Sequence, residues 1–174
     1  MRRLKAYAAG AGLALCASPA WPCDLALALT VDVSASISPT EYDLQMQGLA
    51  DALIDPEVAQ ALAANRAALL LVQWSGAGRQ SISQDWQRVT SLADVAAFSE
   101  HVRATERIWK VYSTAIGEAL LFTAEAFDSV PDCTRRVIDV SGDGLSNEGL
   151  AADIARDALV ARNITINGLA IETS

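Results

Sequence analysis

Histidine is almost absent from this 174-residue chain: His101 stands alone, in no recognisable motif. No Ser-His-Asp arrangement, Gly-x-Ser-x-Gly elbow or glycine-rich phosphate loop can be assembled from what is present. Basic charge is scarce as well, with 13 Lys and Arg against 21 Asp and Glu and a net charge of −8. That balance excludes nucleic acid and anionic membrane surfaces as partners and leaves cations compatible. Charged residues make up only 20% of the chain against 52% hydrophobic, which excludes disorder and suits one globular domain with a sizeable core. Internal repeats and low-complexity segments are missing too. The apolar run Ala6 to Ala17 falls short of the roughly 20 residues a membrane helix needs.

What that run does fit is export. Arg2, Arg3 and Lys5 precede it and Ser18-Pro19-Ala20 closes it on a small residue, the layout of a secretory signal peptide over residues 1–20. Leu15 stands where a lipoprotein signal at Cys16 would want a small side chain. One domain, 21–174, follows. Without residues 1–20 the chain keeps 10 basic and 21 acidic residues, a net charge of about −11. Cys23 and Cys133 then remain as two cysteines in an oxidising compartment.

Apolar periodicity divides the domain. Leu25 to Val31 reads as a strand; Ser38-Pro39-Thr40-Glu41 is an N-cap, a first-turn proline and a capping-box glutamate. The helix they open carries Tyr42, Met46, Leu49 and Leu53 on one face and stops or breaks at Asp55-Pro56. Ala68 to Trp74 is a continuous apolar strand, Ser75 to Gly78 a turn, and Gln80 to Asp85 the returning arm of a hairpin. A second helix carries Leu92, Val95, Phe98 and Val102, and Thr105 to Tyr112 is irregular. A third helix is predicted to begin near Ser113-Thr114, with Ile116, Leu120, Ala124 and Phe127 on one face. Arg136 to Val140 is a strand, and Ser141 to Gly144 a loop. A fourth helix, capped by Ser146 or Asn147, carries Leu150, Ile154 and Ala158; Ile164 to Ile171 is the last strand.

Strands alternating with helices specify an α/β domain: a doubly wound, mostly parallel sheet of order 3-2-1-4-5 with one antiparallel edge strand and helices on both faces. In that order the first and fourth strands are neighbours at the switch point, where ligands bind beyond the strand carboxyl ends. Asp32 ends the first strand, Ser34 and Ser36 follow it, Asp143 follows the fourth, and Thr114 opens the helix leading into it. Five oxygen side chains are thus predicted at one rim. Asp and Ser after a strand also serve as ordinary caps and turn formers; the convergence of three segments favours a site. Cys23 and Cys133 fall at the opposite end of the same two strands, close enough for a disulfide, the alternative being two separate buried thiols.

Two carboxylates and three hydroxyls, with no imidazole or thiolate, form a hard-oxygen set suited to magnesium, manganese or calcium and poorly suited to zinc or copper. Two negative charges only balance a divalent ion, so its shell keeps room for water or an outside carboxylate. At these residues the chain resembles the von Willebrand factor A (vWA) domain family: "DVSAS" is similar to its Asp-x-Ser-x-Ser motif, Thr114 in "YSTAIGEAL" to its threonine, and "VSGDGLSNEG" to its third, aspartate-bearing loop. The stretches "EYDLQMQGLADAL" and "VQWSGAGRQ" further resemble an uncharacterised bacterial branch of exported proteins with this domain. The resemblance implies a metal-ion-dependent adhesion site (MIDAS), with Asp32, Ser34, Ser36, Thr114 and Asp143 around a divalent cation, magnesium foremost. It also implies a protein partner that supplies an acidic side chain. That family continues with another helix and strand, so the domain is expected to be C-terminally truncated, with an uncovered apolar face.

The function expected is a non-enzymatic, metal-dependent protein-binding module of the bacterial periplasm or cell exterior. A structural module whose ion merely ties loops together is the alternative. A metal-dependent phosphatase using Asp32 as nucleophile is disfavoured because Ser34 occupies the position where a general acid is wanted. His101 and the Arg135-Arg136 pair read as surface residues. Trp74 and Trp86 read as packing residues, and Trp109 as a candidate neighbour of the rim.

Overall fold

Five segments form one sheet: β1 (Cys23–Asp32), β2 (Ala68–Trp74), β3 (Gln80–Arg88), β4 (Cys133–Gly142) and β5 (Ile164–Ala170). The computed structural model describes residues 22–171; the expected signal peptide, Cys16 included, lies outside them. The spatial order is β3-β2-β1-β4-β5, parallel throughout except for the β2–β3 hairpin, as the alternating pattern predicts. Strand β2 is buried at every position because both its faces are covered, which is why it reads as an unbroken apolar run.

Helices α1 (Pro39–Ile54), α2 (Pro56–Ala64) and α3 (Leu92–Ala104) pack on one face against Leu29, Val31, Leu69 and Leu71. Helices α4 (Ile116–Ala126) and α5 (Ala152–Val160) pack on the other against Ala28, Leu70, Ile138 and Ile164. The capping box of α1 forms as predicted: the Glu41 amide donates to Ser38 Oγ at 3.2 Å and the Ser38 amide to the Glu41 carboxylate at 2.7 Å. Asp55 ends α1 and its carboxylate accepts the Glu57 and Val58 amides, starting α2, a helix that sequence periodicity left unassigned.

Two helix starts differ from expectation. Helix α4 begins at Ile116, so Thr114 lies in the loop before it, and α5 begins at Ala152 with no side-chain cap. The buried residues of α5 are Ala155 and Leu159, whereas Ile154 and Ala158 are exposed. The cause is that Ser146 and Asn147 turn back toward the loop before α4 instead of capping their own helix, which delays α5 by about a turn.

At the amino end of the sheet Cys23 and Cys133 are register partners, and they are joined by a disulfide with Cα atoms 4.3 Å apart. The strand spacing predicted this pairing, and the separate-thiol alternative is excluded. Trp74 is buried, and Trp86 packs on Phe127 with ring centroids 5.4 Å apart. Trp109 is partly buried against the α1–α3 core.

No helix among the described residues covers the α1-side face of β4 and β5. A groove of about 420 Å³ lies there between α1 and the sheet. Its lining is mostly apolar, with Leu44, Leu49 and Leu169, and also includes Asp139 and Asn167, which are hydrogen-bonded at 2.7 Å.

Candidate metal centre

Strand β1 is apolar from Leu25 to Leu29 and again at Val31, and at its last residue Asp32 reaches the carboxyl rim wholly buried. The chain then turns back on that side chain. The Ser34 amide donates to Asp32 Oδ1 at 2.7 Å, an aspartate-centred turn that ties the loop to the strand end. Ser34 Oγ and Ser36 Oγ share a hydrogen bond of 3.1 Å, and Ser36 Oγ donates to Asp143 Oδ1 at 2.8 Å. Asp32, Ser34, Ser36 and Asp143 are therefore joined in series by hydrogen bonds, through the Ser34 amide and the two serine hydroxyls, the last bond linking residues 107 apart in sequence.

Gly142 permits this closeness: a Cβ there would stand 2.9 Å from Asp32 Oδ2. That oxygen is buried and has no hydrogen-bond partner. Burial pushes the Asp32 carboxyl up to about 6. The amide and hydroxyl of Ser34 pull against this, the nearby Asp143 adds to it, and Arg107 opposes it.

Thr114, the fifth predicted residue, is buried on the adjoining loop and is not hydrogen-bonded to the other four. Its placement comes from the backbone. The Ala35 amide donates to the Tyr112 carbonyl at 2.9 Å and the Ala115 amide to the Ser75 carbonyl at 3.0 Å, so residues 112–115 lie between the β1 loop and the end of β2. The Thr114 amide donates to Asn147 Oδ1 at 2.9 Å, and its carbonyl accepts the amides of Asn147 and Glu148.

Several residues that sequence reasoning missed hold this rim together. Ser146 Oγ accepts the Ile116 amide at 3.3 Å, the Glu148 carboxylate accepts the Ala77 amide at 3.0 Å, and Glu118 accepts the Leu150 amide at 2.7 Å. Gly149 lies against Glu118 with a positive φ of 74°, where a Cβ would collide with the carboxylate. These partners lie 30 to 71 residues apart, and of them only the glycine carried a local sign of its role.

A family model described as "Protein of unknown function (DUF1194)" matches residues 22–174. The chain belongs to that family. Among solved structures, proximal thread matrix protein 1 (PTMP1) from the mussel byssus is 19% identical, with a TM-score of 0.68 over 88% of this chain and 40% of that one. Another PTMP1 structure, described as having a zinc-occupied MIDAS motif, is 16% identical with a TM-score of 0.62, over 88% and 37%. A von Willebrand factor type A protein from Catenulispora acidiphila is 18% identical with a TM-score of 0.61, over 84% and 33%. These likenesses establish the vWA fold that the motifs resembled, and the chain spans 40% or less of each of these proteins. No curated protein sequence matches it.

Does the DUF1194 rim fit a cation? Among the described residues no group of three or more His, Cys, Asp or Glu stands together as a metal site. The donors here are two carboxylates with hydroxyls between them, an all-oxygen set of the kind hard cations take. The unpartnered Asp32 Oδ2 is the deciding atom. A buried carboxylate oxygen without a donor is costly, and a cation beside it removes that cost. The residues present fit a divalent ion.

Proposed function

We propose that this DUF1194 domain is a divalent-metal-dependent, adhesion-type protein-binding module without catalytic activity, exported to the bacterial periplasm or beyond after loss of residues 1–20. Asp32, Ser34, Ser36, Thr114 and Asp143 are the residues that would hold the ion, magnesium foremost, with manganese or calcium as substitutes. The observation carrying this reading is the connected chain Asp32–Ser34–Ser36–Asp143 around an orphaned buried carboxylate oxygen. With only two charges around it, a divalent ion stays electrophilic enough to take a partner's Asp or Glu. The residues themselves supply acceptors and a fixed frame. Ser34, placed where a phosphatase would want its acid, carries a hydroxyl hydrogen-bonded to that of Ser36.

The disulfide suits an oxidising compartment, and no helix among the described residues is long and apolar enough to cross a membrane. PTMP1 described with zinc in its MIDAS makes zinc a necessary arm of any titration.

The test is calorimetry and thermal melting of the full chain with magnesium, manganese, calcium and zinc. Binding that disappears in Asp32→Ala is expected; no response to any of the four ions overturns the proposal. Affinity capture from the native envelope fraction with and without chelator, with Thr114→Ala as control, then separates partner binding from the alternative of an ion that only ties loops. That alternative draws support from the many loop-to-loop bonds at the rim, and it predicts a melting shift with no chelator-sensitive partner.

A further inference from the structure

One cation of the protein itself sits at the rim and pairs with neither carboxylate. Arg107 directs its guanidinium at three backbone carbonyls of the β1–α1 loop: Nη1 donates to Ile37 O at 2.7 Å, and Nη2 to Ser34 O at 2.6 Å and Val33 O at 3.1 Å. These three carbonyls bracket both loop serines. Among the described residues Arg107 makes no ion pair, and its Nε is buried without a partner.

The base of this arginine is itself clamped. Gln73, wholly buried at the end of β2, donates through Nε2 to Glu106 O at 2.9 Å and accepts the Ile108 amide on Oε1 at 3.2 Å, gripping the backbone on either side of Arg107. Tyr42 adds a bond from its hydroxyl to Thr105 O at 2.9 Å. A rigid path therefore runs from the sheet and α1, through Gln73 and Tyr42, to the guanidinium and the serine loop.

We infer that Arg107 is the positioning residue that holds residues 33–37 in the shape the cation needs; this rests on the metal reading above. The chemistry favours it over a charge-balancing role. A guanidinium paired to Asp32 would fill the place of the ion, whereas one spent on carbonyls behind the loop leaves Asp32 Oδ2 open. Its charge repels a divalent ion while its geometry fixes the hydroxyls, so the two effects predict opposite signs when Arg107 is replaced. A lysine keeps the charge but presents a single point of donors and cannot span three carbonyls.

The experiment compares the full chain with Arg107→Lys and Arg107→Gln. It measures calorimetric Kd for magnesium and for manganese, the metal-free Tm, and hydrogen exchange of the metal-free amides at 33–37 against those at 69–72. The result expected is a Kd weakened at least tenfold in both variants and exchange at least tenfold faster at 33–37 only. Retention of wild-type Kd in both variants, even with a lowered Tm, makes Arg107 a residue of fold stability alone and overturns the inference while the metal reading stands. Tighter binding in Arg107→Gln overturns it in favour of simple repulsion. A wild-type chain without any metal response overturns the metal reading and this inference together.

Discussion

The two ends of the sheet are built on different principles. At the amino end, β1 and β4 are joined covalently through Cys23 and Cys133, and the flanking groups are paired: Arg66 with Asp24 and Arg88 with Asp132, each at 2.6 Å. At the carboxyl end the loops are held by hydrogen bonds alone, many of them from side chains to the backbone of other loops, and pairing is left incomplete. All four buried side-chain atoms without a partner among the described residues belong to Asp32, Gln45, Arg107 and Glu118. Gln45 donates to the Asp32 carbonyl, Arg107 holds the serine loop and Glu118 holds Leu150, so all four border the rim. Unsatisfied polar groups cost stability where they lie, and here they gather at one end, while the other end supplies cross-linking. The lesson is a division of labour along a single strand pair, with closure at Cys23 and openness at Asp32.

The sharpest way to break this comparison is to remove the covalent end. The bridge spans 110 residues, and a loop of that size is worth about 5 kcal/mol in the chain-entropy account. The Cys23→Ser, Cys133→Ser chain should lose about that much in chemical denaturation. If the ends are independent, calorimetry on its folded fraction gives a metal Kd within twofold of wild type.

Next in size is the opposite end. The Asp32 carboxyl is raised from 3.8 to about 6, so a proton there favours the folded, metal-free state. That contribution is complete below about pH 4 and is lost as pH rises through about 6. At pH 7 the ionised Asp32 carboxylate therefore costs the fold about 3 kcal/mol. Asp32→Asn should raise metal-free stability at pH 7 by up to that amount, with the gain shrinking toward pH 4, and should abolish the metal response. Denaturant melts of both chains at pH 4, 5.5 and 7 check the sign. Metal affinity of the wild type should fall in parallel as pH drops below about 6, because proton and cation compete for the same oxygen.

A smaller effect is expected from Asn147→Ala. It removes the acceptor for the Thr114 amide, costing about 1 kcal/mol, and its metal Kd should weaken as residue 114 loosens. Full retention of Kd would detach Thr114 from the site. Smallest of all is Asp24→Asn, which breaks a half-exposed ion pair with Arg66. Solvent screening limits this change to less than about 1 kcal/mol, and melts with and without metal should shift together.

The fold was legible wherever a local pattern carried it. Tyr42, Met46 and Leu53 announced the buried stripe of α1, and Ser38 and Glu41 its start, because a cap and a periodic face need only neighbours within a turn or two. The α5 start was misread for the same reason. Asn147 and Ser146 look like caps in sequence, yet their partners, Thr114 and Ile116, lie 33 and 30 residues away. The stretch Glu57 to Ala64 formed a helix unnoticed, since its apolar face is narrow, with only Ala59 and Leu62 buried. At the rim, the meeting of Asp32, Ser34, Ser36 and Asp143 was readable, while the roles of Arg107, Gln73, Glu118 and Glu148 were not: an arginine bonded to carbonyls leaves no spacing rule.

The sequence by itself determined the strand order, the placing of Asp32, Ser34, Ser36, Thr114 and Asp143 at one rim, and the proximity of Cys23 to Cys133, because alternation of strands and helices restricts the topology and topology assigns each strand end a place. Tertiary structure alone decided that Asp32 Oδ2 stays unpaired, that Ser36 reaches Asp143, and that Arg107 turns to carbonyls instead of carboxylates. Those outcomes depend on differences of about an ångström between side chains far apart in sequence, and packing sets such distances where periodicity cannot.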